Sequence, residues 1–301
     1  MFERRKAYNG KTPWSEDEEK RLLNILKESS FDSKKLQEIF PNRTLPAIRS
    51  KTRKLRIKHD LFGESYRYDK ILFTKKWAKK IKPSIVFEAY AGVGHQSLAW
   101  IENCETLFSS DKGNNKKKQF ESTITEKGFV QINESDLWNK YVKNSKEIYF
   151  FHGDVVDAAV DLRKKNVRID VLDLDACGST LPLLPMLLNL LKPKYLLITH
   201  GEFHSMRFGR DDVLRRVLFH RDIKDSTLDL TVDDLSNELD KAVKIAALRS
   251  HNETKDSLWA ELLDEVWLGS KFHGMLRRVY RIYKAKATAD CLNYLIINGA
   301  Q

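Results

Sequence analysis

The chain has 301 residues, a formal net charge of +11, 42% hydrophobic and 32% charged residues. That is length for one large domain or two unequal ones, with enough apolar material for a core and no apolar run of bilayer-spanning length. The opening MFERRKAYNGK has charge but no apolar h-region, so no secretory signal is expected. Cys104, Cys177 and Cys291 are far apart and form no CxxC pair. That excludes a zinc ribbon or a disulfide framework and points to a reducing, intracellular compartment (cytoplasm, nucleoid or nucleus).

The charge is unevenly placed: residues 1–60 hold sixteen Lys and Arg against nine Asp and Glu, more than half of the excess. Such asymmetry points to a polyanionic partner, most simply nucleic acid. Within this stretch, Ser15 with Glu18 forms a capping-box pattern ahead of a helix carrying Leu22, Leu23, Ile25 and Leu26. A second short helix is expected over Ser33 to Phe40. After the turn Pro41-Asn42-Arg43-Thr44, a third runs from Leu45 to about Ile57, with Arg49, Lys51, Arg53, Lys54 and Arg56 around an apolar stripe. Three short helices with a basic last one make a helix-turn-helix arrangement. PWSEDEE and NRTLPAIRSKTRKL resemble the Myb/SANT repeat. The resemblance implies a nucleic-acid-binding module over 1–60, with Arg43, Arg49, Lys51, Arg53 and Lys54 as contacts and DNA favoured over RNA. The second and third tryptophans of that repeat are missing, so Phe31 or Phe40, and Ile48, would fill their core places.

Residues 58–66 read as a linker, and Tyr68 to Lys80 as an amphipathic helix before the first strand of a domain spanning 61–301. Ile85-Val86-Phe87 has the length and β-branching of a buried strand. It ends at Glu88, turns through Ala91-Gly92-Val93-Gly94 and enters a helix with Leu98 and Trp100. Strand, small-residue turn and helix open a doubly wound nucleotide-binding sheet. The turn is too short for a GxxxxGK[ST] phosphate loop and misses GxGxxG. An acid at the strand end suits a ligand with a positive end and hydroxyls. EAYAGVG resembles the first motif of class I S-adenosylmethionine-dependent methyltransferases. That resemblance implies a Rossmann-like sheet of seven strands with an antiparallel last strand, S-adenosyl-L-methionine as cofactor, and Glu88, Tyr90, Ala91, Gly92 and Gly94 against it.

The next strand, Thr106 to Ser110, ends at Asp111, placed to accept from both ribose hydroxyls. The basic run Lys112 to Lys118 is open to two readings, a solvated helix start or a substrate-phosphate contact. Lys146 to Phe151 is a third strand, followed by Asp154. In the methyltransferases an acid here bonds the adenine amino group; capping the helix from Val155 is the other role open to it. The segment Phe129 to Tyr141 reads only as an insertion.

Val167 to Leu174 is the fourth strand and leads into DLDACGS, residues 173 to 179. This loop resembles the D-x-D-P-[FY]-G-S loop of tRNA guanine-N2 dimethyltransferases. The resemblance puts Asp173 beside the cofactor and makes Asp175 the acceptor of hydrogen bonds from an exocyclic amino group. Pro and the aromatic of that loop are Ala176 and Cys177 here, so the stacking platform is missing. Cys177 reads as a small buried residue rather than a nucleophile. Lys194 to Thr199 is the fifth strand. His200, Glu202 and His204 follow it, with no further ligand cluster to suggest a metal. Phe203 is a candidate for the missing ring and His204 for a target-base contact. Arg207, Arg210, Arg215, Arg216 and Arg221 suit a phosphate backbone. Thr231 caps a helix from Val232 to Leu248, and Leu258 to Leu268 reads as another amphipathic helix, a lid or a packing element. Arg277 to Tyr283 and Cys291 to Ile297 read as the closing hairpin.

The expected function is therefore methyl transfer from S-adenosylmethionine to a base amino group of DNA. The alternatives are an RNA (tRNA-type) methyltransferase, and a non-catalytic DNA-binding subunit that supports a protein partner.

Overall fold

The computed structural model describes residues 13–28, 33–58, 64–134, 137–176, 178–207, 210–218, 230–250, 257–269 and 274–284. The chain divides into two compact units, 1–65 and 66–301. The first holds α1 (Glu16–Glu28), α2 (Ser33–Ile39) and α3 (Leu45–Lys58). Its capping box is formed: Glu18 N–H donates to Ser15 Oγ at 3.2 Å and Ser15 N–H to Glu18 Oε2 at 2.9 Å. Leu22, Leu26, Leu36, Phe40, Ile48 and Leu55 make the core, with Trp14 edge-on to Phe40 at 5.4 Å. Phe40 and Ile48 thus sit in the core, while Phe31 lies outside the described residues.

The second unit begins with α4 (Glu64–Ile81) and is organised on one sheet. Its strands are β1 (Ile85–Ala89), β2 (Thr106–Asp111), β3 (Val130–Glu134), β4 (Trp138–Lys143), β5 (Lys146–His152), β6 (Val171–Leu174), β7 (Tyr195–His200), β8 (Leu258–Leu268) and β9 (Met275–Lys284). Their order is β3-β4-β5-β2-β1-β6-β7-β9-β8. The run β5-β2-β1-β6-β7 is parallel, so those strands all end at one edge. β9 is antiparallel to both of its neighbours. One face carries α4, α5 (His95–Ile101) and α6 (Lys116–Glu126). The other carries α7 (Val155–Lys164), α8 (Leu184–Leu191), α9 (Glu202–Arg207), α10 (Asp211–Val217) and α11 (Val232–Leu248). The cap of α11 is as expected, a capping box between Thr231 and Asp234.

Three expectations are corrected. Among the described residues the sheet has nine strands rather than seven, because Phe129 to Tyr141 contains most of a hairpin, β3–β4, that extends it beyond β5. Leu258–Leu268 is a strand, not a helix. A register shift between Leu262 and Asp264 resets its alternation, so the period-2 signal is broken in the middle and a helical repeat fits by accident. The closing hairpin is β8–β9, whereas Cys291 to Ile297 lies outside the described residues.

Alternation along the strands sorts the side chains. On β1, Val86 faces the α4–α5–α6 layer while Phe87 and Ala89 face the other. Glu88, in phase with Val86, therefore points into a helix-covered layer.

Candidate functional site

The carboxyl edge of β5-β2-β1 forms a cradle. The chain leaves β1 through Tyr90 (φ 65°), Gly92 (φ 59°) and Gly94 (φ 88°), three left-handed residues in five. The two glycines serve different ends. A Cβ on Gly92 would meet nothing nearer than Tyr90 O at 4.0 Å, so the space above it is open to a ligand. A Cβ on Gly94 would strike Phe120 at 3.0 Å, so that glycine lets α6 pack against the turn. Tyr90 is an aromatic residue held in a conformation L-residues avoid. Its neighbours fix it: Ala91 N–H donates to Ser110 O and Asp175 N–H to Ala89 O, at 2.9 and 3.5 Å.

Asp111 ties the rim together, its Oδ2 accepting from Gly92 N–H at 2.9 Å and its Oδ1 from Gly113 N–H at 2.8 Å. Asp154 N-caps α7 through Val156 N–H at 3.0 Å, and its other oxygen stands 3.6 Å from Lys112 Nζ. It is half exposed, so the capping bond leaves it free to meet a ligand as well. Lys112, first of the basic run, thus faces the rim.

Glu88 and Asp173 do not belong to that rim. Both are buried, at 1% and 0% exposure, in a polar row that crosses the sheet under α4 and α5: Ser109, Glu88, Asp173, Thr199 and Arg277. Glu88 Oε2 accepts from Ser97 Oγ of α5 and, at 3.3 Å, from Ser109 Oγ. Burial above all, then the charge of Asp173, pushes its carboxyl up to about 8, so it is largely protonated at neutral pH. Asp173 Oδ2 accepts from Trp100 Nε1 and Arg277 Nη2, both at 2.7 Å. Arg277 also donates to Thr199 Oγ1 at 2.8 Å and to Thr74 Oγ1 of α4 at 3.2 Å. Each acid sits one residue before the end of its strand and faces the helix-covered layer.

Asp175 lies just past the end of β6. Lys70 Nζ of α4 donates to both of its carboxylate oxygens, at 2.9 and 2.7 Å. Burial works against the charge on Asp175, but Lys70 and Arg277 outweigh it and hold the carboxyl below the ordinary range. Around this row three acids thus meet two cations, and the proton on Glu88 balances them. Lys70 and Arg277 were missed in the sequence reading. Arg277 is legible afterwards, since it is in phase with Val279 on β9 and so points into the same layer.

Phe203 is not a free stacking surface: it is 2% exposed and packs edge-on to Trp267 at 4.9 Å. His204, on the same short helix, is exposed. His200 and Glu202 are buried as a pair, Nδ1 to Oε2 at 3.5 Å, with neither imidazole nitrogen in a hydrogen bond. Among the described residues no group of three or more side chains could hold a metal ion. Cys177 lies outside the described residues; Gly178 beside it is exposed, and a Cβ there would meet nothing within 4 Å.

In the first unit two expected nucleic-acid contacts are engaged internally. Arg43 Nε donates to Glu18 Oε1 at 2.9 Å and its Nη2 to Oε2 at 2.5 Å and to Pro13 O at 2.8 Å. Its guanidinium also lies 4.9 Å from the Trp14 ring centroid. Arg43 is therefore a brace between α1 and the turn before α3, and Lys51 is paired with Glu19. Lys54 and Arg210 are exposed. The side chains of Arg49, Arg53 and Arg207 are outside the description.

No protein-family model matches the chain, and no curated protein matches it. Among solved structures it is similar to Trm1 from Pyrococcus horikoshii in complex with S-adenosyl-L-methionine. The TM-score is 0.57 at 14% identity, covering 76% of this chain and 56% of that one. A methyltransferase from Geobacter sulfurreducens matches with TM-score 0.38 and 12% identity over 70% of this chain and 77% of that one. Trm5b from Pyrococcus abyssi matches with TM-score 0.33 and 13% identity over 66% of this chain and 44% of that one. This chain spans little more than half the length of the first. At such identities the likeness is one of fold alone: the second unit shares its α/β fold, built on a mostly parallel sheet, with that Trm1 structure.

Proposed function

We propose that the chain is an S-adenosylmethionine-dependent methyltransferase acting on RNA. The observation that carries this is the open left-handed turn at Gly92, flanked at one sheet edge by Asp111 and Asp154. A methyl-bearing sulfonium nucleoside fits that donor set: hydroxyls for Asp111, an amino group for Asp154, and bare backbone where a side chain would collide. The cofactor would supply an activated methyl group, and the chain's part is positioning and exclusion of water. Asp175 accepts hydrogen bonds from the acceptor amino group. The fold shared with an S-adenosylmethionine-bound Trm1 supports the same reading.

RNA is preferred to DNA on two grounds. DLDACGS resembles the loop of tRNA guanine-N2 dimethyltransferases, and two of the basic residues that would have read a DNA groove, Arg43 and Lys51, are spent inside the first unit. That unit, a Myb-like module on our reading, has Lys54 of α3 exposed to meet a phosphate backbone, and in the second unit Arg210 is exposed as well. Incubating the protein with tritiated S-adenosylmethionine and, separately, tRNA, duplex DNA and single-stranded DNA tests the proposal. Label in tRNA alone is the expected result, and label in DNA alone would reverse the preference. Cofactor binding without transfer to any of them would make it a non-catalytic subunit.

A further inference from the structure

We propose that Lys70 is a positioning residue for methyl transfer: its ammonium, reaching from α4, holds Asp175 in the geometry that receives the acceptor amino group. The inference rests on the methyltransferase reading above and deepens it. Nothing in the sequence motif names this lysine, since it lies 105 residues away from the acid it holds.

The geometry is that of a two-point tether. Both carboxylate oxygens accept from Lys70 Nζ, and the two side chains are 18% and 13% exposed, at the mouth of the crevice rather than inside the core. Besides Lys70, Asp175 has the Thr199 side chain of β7 as a hydrogen-bond partner. Its own N–H donates to Ala89 O at 3.5 Å, a long bond. The loop that DLDACGS resembles has a proline after this acid, which freezes φ; Ala176 has no such restraint. A side-chain tether supplies the rigidity that the backbone has lost. A carboxylate has about four lone-pair sites, so two bonds from Lys70 leave room for an amino group to donate. Asp175 is also the one acid of its cluster with any surface, Glu88 and Asp173 being closed in.

The tether governs charge as well as position. Facing Asp175 are Lys70 from α4, Arg277 from β9 and Thr199 from β7, with Asp173 and Glu88 as the neighbouring acids. Without Lys70, three acids would share a single cation. A carboxyl that then took up a proton would present a donor where the acceptor amino group needs an acceptor.

The test uses the full chain with Lys70→Met and Lys70→Arg, each checked for an intact melting transition. Three quantities are read: the carboxyl titration of Asp175 by carbon NMR, assigned with Asp175→Asn; S-adenosylhomocysteine affinity; and methyl transfer to tRNA across pH. Lys70→Met is expected to move the titration upward and to leave cofactor affinity within about twofold. Transfer near neutral pH should fall by about tenfold or more, with partial recovery as pH rises. Lys70→Arg, which keeps a two-point contact, should retain most of the activity. If Lys70→Met does not fold, Lys70→Gln takes its place. A moved titration with an unmoved pH profile would make Lys70 structural and overturn the proposal alone. Loss of cofactor affinity in step with transfer would do the same. Failure of the unmutated protein to transfer to any nucleic acid, with cofactor bound, would overturn the enzymatic reading and this inference with it.

Discussion

Glu88 and Asp173 stand opposite each other in register on β1 and β6, both buried against the same helices. Asp173 has Arg277 and the Trp100 indole to hold its charge, whereas Glu88 has two serine hydroxyls. The proton therefore resides on Glu88, raised from 4.5 to about 8. In that window the unfolded chain has released a proton that the folded chain keeps, so stability falls as pH rises from 4.5 to about 8 and levels off beyond. Glu88→Gln keeps the neutral shape and removes the titration. It should flatten this part of the stability–pH curve, leaving the variant more stable than the parent by on the order of a few kcal/mol at the alkaline end. Urea unfolding at several pH values, followed by tryptophan fluorescence, measures it. Identical slopes in both proteins would mean that Glu88 is ionised in the fold.

Asp173 and Arg277 are each fully buried, 2.7 Å apart. Breaking such a pair strands one charge in the core, which costs about 3–5 kcal/mol. Asp173→Asn and Arg277→Met should each lower the melting temperature severely. The double variant should recover much of the loss, because the row is then left without an unpaired ion. Double-mutant analysis of melting curves gives the coupling, and additive losses would show that the two residues act separately.

How much of this was readable beforehand depended on whether the signal was local. The turn EAYAGVG, the capping box at Ser15 and the Thr231 cap are encoded within a few residues, and each stands where the pattern put it. Asp111, at the end of β2, and Asp154, two residues past β5, followed from short apolar runs. The motifs give the position of Glu88 and Asp173 along their strands, while period-2 phase with Val86 and Val171 turns both into the helix-covered layer. Lys70 was out of reach for a different reason: its partner lies in another element, and amphipathicity counts a lysine on the inner face of α4 as noise. β8 was lost to its bulge, a feature of pairing rather than of composition.

Gly92 and Gly94 both have positive φ, yet substitution should separate them. Gly92→Arg places its side chain in the open cradle and should abolish S-adenosylmethionine binding in calorimetry while shifting the melting temperature by only a few degrees. Gly94→Ala pushes a methyl group against the Phe120 ring, 3.0 Å from the ideal Cβ position, and should destabilise the second unit by roughly 1–3 kcal/mol. The opposite pattern, a foldless Gly92→Arg and a cofactor-blind Gly94→Ala, would move the ligand away from this turn.

In the first unit, Arg43 and Lys54 should behave as different kinds of residue despite equal charge. Arg43 is fixed by Glu18, the Pro13 carbonyl and the Trp14 face, and it holds the Glu18 carboxyl down at about 2. A depressed acid stabilises the fold above its unfolded value of 4.5, and that contribution is lost as pH falls toward about 2. Arg43→Ala should therefore weaken the first unit at neutral pH and remove part of its acid sensitivity. The salt dependence of RNA binding by the molecules that remain folded should be unchanged. Lys54 is exposed on α3, and under the proposed function a phosphate contact there would release a counterion on binding. Lys54→Ala should leave melting unaltered and reduce the slope of log affinity against log salt by about 1. Fluorescence anisotropy with a labelled tRNA at several salt concentrations reads both outcomes. A reduced slope in Arg43→Ala, with none in Lys54→Ala, would return Arg43 to the nucleic-acid interface.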